Sequence, residues 1–391
     1  MKSIDEVDIT GKRVLLRVDF NVSLNDRGEI IDDERMCQTL PTIEYLGERH
    51  NKLILVSHLD HPKGRDPKLS LKSIAKHLQK LLPSYTIHLV NDFLTDTKNF
   101  TNQTENDILL LENIRFYPQE QDNDTAFAKE LAKLADVFVN DAFGVSHRKE
   151  ASVVSVPQFL PSYGGFLIKK EVEVLSHALT SPEHPVVAII GGSKISTKIN
   201  LLDRLLSVAD TVLIGGGLAN TFFSSQGIEI GKSICEKDEK ETAQRLLEKA
   251  KSSHAKLLLP IDVVIKNTET NHSRVAYVAK VESLDTILDI GIETVTTFSE
   301  VIRTAKTIIW NGPMGYFEDP AFRRGTDGIC EAIIRNKKAL SIVGGGDTIA
   351  AIGDRPDKNT ITHISTGGGA MLSFIEHGSL PGIEALEKSR V

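Results

Sequence analysis

Cysteine is scarce and scattered: Cys37, Cys235 and Cys330 are the only three in 391 residues, and no CxxC spacing occurs. A disulfide framework and a thiolate zinc site have no support, and reduced thiols are expected. Long apolar runs are missing as well, the longest purely aliphatic stretch being about five residues, Val186 to Ile190. The opening MKSIDEVDIT carries three acids and no apolar segment. Neither a signal peptide nor a membrane span is therefore expected, and a cytoplasmic protein is. Charge of one sign does not dominate: 46 Lys+Arg oppose 53 Asp+Glu, a net charge of -7. Up to Leu175 there are 22 basic and 27 acidic residues, and beyond it 24 and 26. Neither half reads as a basic nucleic-acid module. Low-complexity tracts and repeats of fixed period are lacking too, and the length corresponds to roughly two or three globular domains.

Several catalytic signatures are also missing. No GxGxxG follows an apolar run, since Gly215 and Gly217 are followed at the third place by Asn220. A nicotinamide oxidoreductase is disfavoured on that ground. GIEIGKS, from Gly227, has three residues between its glycines where a Walker A loop has four. GGSKI, from Gly191, lacks the second glycine of a nucleophile elbow, and HExxH does not occur.

What the chain does have is a succession of short apolar runs separated by stretches of helical period. RVLLRVDF, KLILVSHL, TIHLV, DILLLENIRF and DVFVNDAF fall in the first half. PVVAIIGG, TVLIGGG, KLLLPIDVVI, RVAYVAK, KTIIWNG, LSIVGGG and THISTGGG fall in the second. Most lack polar alternation, which suits strands covered on both faces. Amphipathic segments such as SLKSIAKHLQKLL and STKINLLDRLLSVAD lie between them. The pattern predicts an α/β protein with two doubly wound parallel sheets. A Gly pair at 164–165 opening a helical pattern, closed by Pro182 and Pro185, predicts an interdomain helix over 163–180. The domains are then 1–162 and 181–371.

Ligands of open parallel sheets bind beyond the carboxyl ends of the strands, so the residues ending each run carry the information. First-half runs end in side chains: Asp19 and Asn21, Ser57 and His58, Glu112, Asn113 and Arg115, Asn140 and Asp141, with Arg148 close behind. Second-half runs end in glycine: 191–192, 215–217, 312, 344–346 and 367–369. Backbone N–H groups approach an anion closely where no Cβ intervenes, and a helix N-terminus behind the turn adds favourable dipole charge. Glycine turns repeated along one sheet make a nucleotide-phosphate cradle, and forked guanidiniums suit a small anionic metabolite. Two anion sites on two domains imply phosphoryl transfer between them. Lys194 and Lys198, read as i, i+4 on a helix after Gly192, are either surface lysines or a pair around an anion. Asp347 is either a helix N-cap or a Mg²⁺ ligand. His58 and His61 have no third metal ligand and read as hydrogen-bonding histidines.

RVDFNV, DDERMCQTLPTIEYL, LLENIRF, VNDAFGVSHR, GGSKIS, WNGPMGYFE, SIVGGGDT and HISTGGGA resemble, in order and across nearly the whole chain, the signatures of the phosphoglycerate kinase family. The resemblance implies a two-domain hinge-bending α/β enzyme, monomeric and glycolytic. Such an enzyme transfers a phosphoryl group reversibly from 1,3-bisphosphoglycerate to MgADP, giving 3-phosphoglycerate and MgATP. By residue, it implies that Asp19, Asn21 and Arg35 lie near the carboxylate and hydroxyl end of the acid. His58, Arg115 and Arg148 hold its 3-phosphate, with His61 beside them. For the nucleotide it implies Gly191, Gly215 and Gly216 at the adenosine, Asn311 and Glu318 at the nucleoside, and Lys194, Lys198, Asp347 and Thr348 at phosphate and metal. Gly344, Gly345, Gly346 and Gly368 supply backbone around the transferring group. Arg35, Lys194, Lys198, Gly345 and Gly368 are thus the expected catalytic set, with Asp347 on Mg²⁺. The segment 372–391 is expected to return to the first domain.

Five positions depart from the family pattern. HLDHP stands where HLGRP is usual, placing Asp60 and His61 at glycine and arginine positions. Ser23 replaces a proline, Glu150 a histidine, and Thr197 an aspartate. His61 is expected to titrate near the ordinary imidazole value of ~6.5, so that binding of the acid weakens between about pH 6 and 8. The alternative these departures leave is a phosphate-metabolite binding protein with weakened or lost kinase activity.

Overall fold

The computed structural model describes residues 1–389. Residues 390 and 391, part of the segment expected to return, lie outside the described residues. The chain divides into two compact units: Met1–Glu173 together with the segment from Ser379, and Val174–Gly378.

The first unit is built on six strands: β1 (Arg13–Arg17), β2 (Lys52–Val56), β3 (Thr86–Val90), β4 (Asp107–Leu111), β5 (Val137–Asn140) and β6 (Ser162–Gly164). They lie in the order β3-β4-β2-β1-β5-β6, and every pairing is parallel. Alternate side chains leave a strand on opposite faces, so Val14 and Leu16 pack into one apolar layer and Leu15 into the other. That two-sided burial is why the runs read as unbroken hydrophobic stretches. The winding reverses beside β1, whose neighbours are β2 and β5.

The second unit holds β7 (Val186–Ile190), β8 (Thr211–Ile214), β9 (Lys256–Leu258), β13 (Thr307–Asn311), β14 (Leu340–Gly344) and β15 (His363–Ile364), between which β10 to β12 form a sheet of their own. The order is β15-β14-β13-β7-β8-β9, again all parallel, with the reversal between β7 and β13. The smaller antiparallel sheet, β11-β10-β12, comprises β10 (Asp262–Asn267), β11 (Ser273–Tyr277) and β12 (Asp285–Ile290). It corrects the sequence reading of KLLLPIDVVI as one run. Pro260, which has no N–H to donate, separates β9 from β10, and the two strands join different sheets. Strand β12 goes unread in the sequence because its burial alternates, as expected of an antiparallel sheet with one open face.

The helix Phe166–Thr180 carries the chain from the first unit to the second. It starts later than the expected 163 because Ser162–Gly164 is taken up as β6. Its first turn is held from outside: Asp141 Oδ1 accepts the Ile168 N–H at 3.1 Å, and Thr42 Oγ1 accepts the Phe166 N–H at 3.0 Å. At the other end of the chain, Leu372–Gly378 stay in the second unit and the return begins at Ser379. The helix Pro381–Glu387 buries Ile383 and Leu386 in the first unit, where the Gly382 N–H donates to Ser146 O at 2.8 Å.

Candidate active site

Strands β4, β2, β1 and β5 end side by side in the first unit, and the charged residues read from the sequence gather there. Asp19, just past β1, is buried. Its Oδ2 lies 3.4 Å from Arg35 Nη1, and its Oδ1 3.9 Å from His58 Nδ1. Arg35, in the first turn of the helix Glu34–Gly47, also donates from Nη1 to Asn21 O at 3.0 Å. A cation at a helix N-terminus opposes the dipole, and the Asp19 carboxylate offsets that. Asn21 Oδ1 accepts the Asp60 N–H at 2.8 Å, and Arg115 Nη1 donates to Asp60 O at 2.9 Å. Asp60 itself sits at a positive φ of 54°, a conformation that Asp tolerates better than most residues. Its backbone ties Asn21 to Arg115.

His58 is 1% exposed. Burial, reinforced by Arg17, Arg115, Arg148 and Arg35, drives its imidazole well below the ordinary range. His58 is thus neutral near pH 7 and contributes a hydrogen bond rather than a charge. His61 is exposed, with Nδ1 3.4 Å from Arg115 Nη1. Its imidazole is also pushed down, by desolvation first and then by Arg115 and Arg148. The same shift moves loss of the His61 charge toward the acid side of the window read from the sequence. Arg148 is half-buried, 4.0 Å from Glu150. The strand-ending Glu112 and Asn140 are structural, Glu112 accepting from Ser70 Oγ and the Leu71 N–H, and Asn140 from the Ala142 N–H.

Sequence reasoning missed Arg17, fully buried at the end of β1. It donates from Nε to Ser152 Oγ at 2.8 Å and from Nη1 to Val18 O at 2.6 Å. Behind it Glu120 accepts the Ser152 N–H, and burial pushes this carboxyl up to about 6. The available signal was an arginine placed inside an otherwise apolar run.

In the second unit the glycine turns after β7, β8, β13, β14 and β15 come together, and their contacts refine the sequence reading. A Cβ on Gly191 would lie 2.0 Å from Pro313 O, and one on Gly312 would lie 2.3 Å from Gly191 O. A Cβ on Gly368 would lie 2.8 Å from Gly345 Cα, whereas one on Gly346 would meet nothing within 4 Å. Most of these glycines let neighbouring turns touch each other, and Gly346 faces open space. Gly215 is buried and would meet Met314, while Gly344 would meet Met371.

Lys198 lies where the winding reverses. Its Nζ donates to Gly191 O at 2.8 Å and to Asn311 Oδ1 at 2.5 Å, with Asn311 O at 3.4 Å. Desolvation lowers its ammonium to about 8, against the raising influence of Asp347. Lys194 and Lys198 do not share a helix, as the sequence had implied. Lys194 is exposed in the loop, Ser196–Lys198 is a 3₁₀ turn, and the α-helix starts at Ile199. Asn311 is buried and committed inward, donating from Nδ2 to Gly344 O at 2.7 Å. Thr348 is buried too, its hydroxyl accepting the Gly312 N–H at 2.7 Å. Asp347 is no N-cap: the helix is Gly346–Ile352 with Gly345 as its cap, and Asp347 stands exposed in the first turn.

A cavity of about 410 Å³ opens beside these turns, within the usual size range for small-molecule sites. Gly216, Glu318 and Asp347 line it, as do Phe223, Val263 and Leu288, which sequence reasoning missed. The last two arrive on the antiparallel sheet, so an unread strand hid part of the wall.

The chain matches the family model described as phosphoglycerate kinase over residues 4–378. It is 48% identical to the phosphoglycerate kinase of Dictyoglomus turgidum, over 97% of this chain and 96% of that one. It is 45% identical to that of Pelotomaculum thermopropionicum, over 98% of each. Among solved structures, phosphoglycerate kinase from Coxiella burnetii superposes with a TM-score of 0.89 at 39% identity, covering 99% of this chain and 98% of the other. That from Pyrococcus horikoshii gives 0.84 at 31%, with the same coverage.

Proposed function

The chain belongs to the phosphoglycerate kinase family and is a phosphotransferase, and from that premise we propose how its residues divide the reaction. The first unit holds 3-phosphoglycerate, or its 1,3-bisphosphate, and the second holds the nucleotide. The observation that carries this reading is the contrast at the two winding reversals: guanidinium and imidazole groups around β1 and β2, and glycine turns with a 410 Å³ cavity around β7 and β13.

In the ATP-consuming direction the attacking group is a carboxylate, with an ordinary pKa near ~4, so no general base is required. Catalysis is then positioning and charge stabilisation of a metaphosphate-like transition state. Arg35 meets the equatorial oxygens of the transferring group, because its hydrogen bonds among the described residues use Nη1 alone. Lys198 and Lys194 supply cationic charge from the other side, with backbone N–H groups at Gly345, Gly346 and Gly368. Asn21 and Asp19 orient the acid's carboxylate end, and neutral His58 donates a hydrogen bond to its phosphate beside Arg115, His61 and Arg148. Gly191, Gly215 and Gly216 form the adenosine wall, Glu318 reaches the ribose, and Asn311 and Thr348 fix the turns that carry the phosphates.

Among the described residues no group of three or more His, Cys, Asp and Glu assembles as a metal site. Exposed Asp347 on the cavity rim fits an ion that arrives on the nucleotide, because Mg²⁺ is commonly held by one or two carboxylates plus phosphates and water. When bound, Mg²⁺ neutralises charge on the phosphate oxygens. Since the two substrates are assigned to different units, transfer requires a closing motion. No helix of the described residues is long and apolar enough to cross a membrane, and a cytoplasmic monomer remains part of this reading.

A coupled assay of ATP-dependent 3-phosphoglycerate phosphorylation tests the assignment. Arg35→Ala is expected to lower kcat far more than it raises KM, since its charge acts in the transition state. A pure KM effect would remove Arg35 from that role.

A further inference from the structure

Glu150 is 95% buried, its relative exposure being 5%. Its Oε1 accepts from Arg115 Nη2 at 2.7 Å and lies 4.0 Å from Arg148 Nη1, while its Oε2 lies 3.9 Å from Arg17 Nη2. One internal carboxylate therefore stands among three guanidiniums, two of which are assigned above to the terminal phosphate of the acid. A carboxylate oxygen on a guanidinium N–H makes the same kind of charge-assisted contact that a phosphate oxygen would make there.

Among the described residues, two buried atoms here have no hydrogen-bond partner, Glu150 Oε2 and Arg115 Nε. Unpaired buried polar atoms are uncommon and call for a reason. Here the reason is that Arg115 is shared out rather than satisfied. Nη1 serves Asp60 O and His61, and Nη2 serves Glu150. Arg17 stands behind as a second cation toward which Oε2 already faces, just beyond hydrogen-bond reach.

We propose that Glu150 is an affinity-determining residue of the acid-binding site, an internal anion that occupies the Arg115 donor until the substrate phosphate takes it and the carboxylate shifts toward Arg17. The inference rests on the assignment of Arg115 to the acid's phosphate. Each binding event must then undo a buried ion pair and bring a second anion close to Glu150, so the residue lowers affinity for the acid. Other titratable groups within reach of the Glu150 charge are His61, His147 and the buried Glu120, which also faces Arg17.

Glu150→Gln keeps the shape and removes the charge, and Glu150→His is the second variant should the first not fold. KM for 3-phosphoglycerate is measured at saturating MgATP, with Arg115→Ala as reference and inorganic phosphate as a competing probe. Either Glu150 variant is expected to lower KM about tenfold, on the scale of one charge-assisted hydrogen bond, with a smaller change in kcat. Inhibition by inorganic phosphate should tighten in parallel. If KM stays or rises while Arg115→Ala still raises it, Glu150 merely buttresses Arg115 and the proposal is overturned. If Arg115→Ala leaves KM unchanged, the acid-site assignment itself fails, and the proposal with it.

Discussion

Lys198 is held by three oxygens, and losing its proton near pH 8 would remove a half-buried cation from beneath the glycine turns. In the free enzyme the ammonium is fully present below about 8 and is lost as pH rises through it. The profile of kcat/KM for nucleotide should therefore fall with a midpoint near 8, because that parameter reports groups of the free enzyme. Lys198→Arg should flatten the fall, and Lys198→Ala should lower kcat roughly 100-fold, comparable to loss of an oxyanion donor. Steady-state rates between pH 6 and 9.5 check both, and a wild-type profile flat through pH 8 would count against the assignment. Residue types at the strand ends were legible in the sequence, but their commitments were not. Asn311 and Thr348 look like ligand contacts on paper, and in the fold they fasten one turn to the next. Arg17 stood out only as an arginine inside an apolar run, and its burial was not readable because its partners, Ser152 and Glu150, lie far along the chain.

Helix ends and glycine turns obey the same logic one level up. The helix Phe166–Thr180 gets its cap from Asp141 and Thr42, which belong to other elements, so no capping signal stands beside it in the sequence. Burial pushes the Asp141 carboxyl up to about 7, from an ordinary value of 3.8. A carboxyl raised in the fold contributes stability that is fully present below the ordinary value and is lost as pH climbs through the raised one. Asp141→Asn keeps the acceptor and removes the ionisation. Its melting temperature relative to wild type should accordingly rise from pH 5 to pH 8. Parallel melting curves across that range would show that Asp141 does not ionise in the fold. The parallel strands were readable because both faces are covered, whereas β12 was not, since its alternation resembles that of a polar segment. The part of the cavity wall that Leu288 forms was lost with it.

At the scale of the molecule, two doubly wound sheets follow from the order of apolar runs, and the glycine-ended runs all fall in one of them. The returning segment was placed too early, at Leu372; the break lies between the helices Gly368–His377 and Pro381–Glu387, where Gly378 takes a left-handed φ of 79° and Pro381 opens the next helix. Ending the chain after Gly378 removes Ile383 and Leu386 from the first unit, each 3% exposed and worth about 1.5–3 kcal/mol on burial. Hydrogen exchange of that truncated chain should show faster opening in β5 and β6 with little change in β13 and β14, and ADP should bind nearly as before. Uniform loss of protection in both units would contradict this placement.

The same return sets an order of assembly during synthesis. When the ribosome has released Gly378, every strand of the second sheet is available to the nascent chain, while the first unit still lacks the helix that covers Val153 and Ser146. The unit begun first thus waits on a segment that follows the second, so its apolar surface around that helix stays uncovered until Pro381–Glu387 emerges.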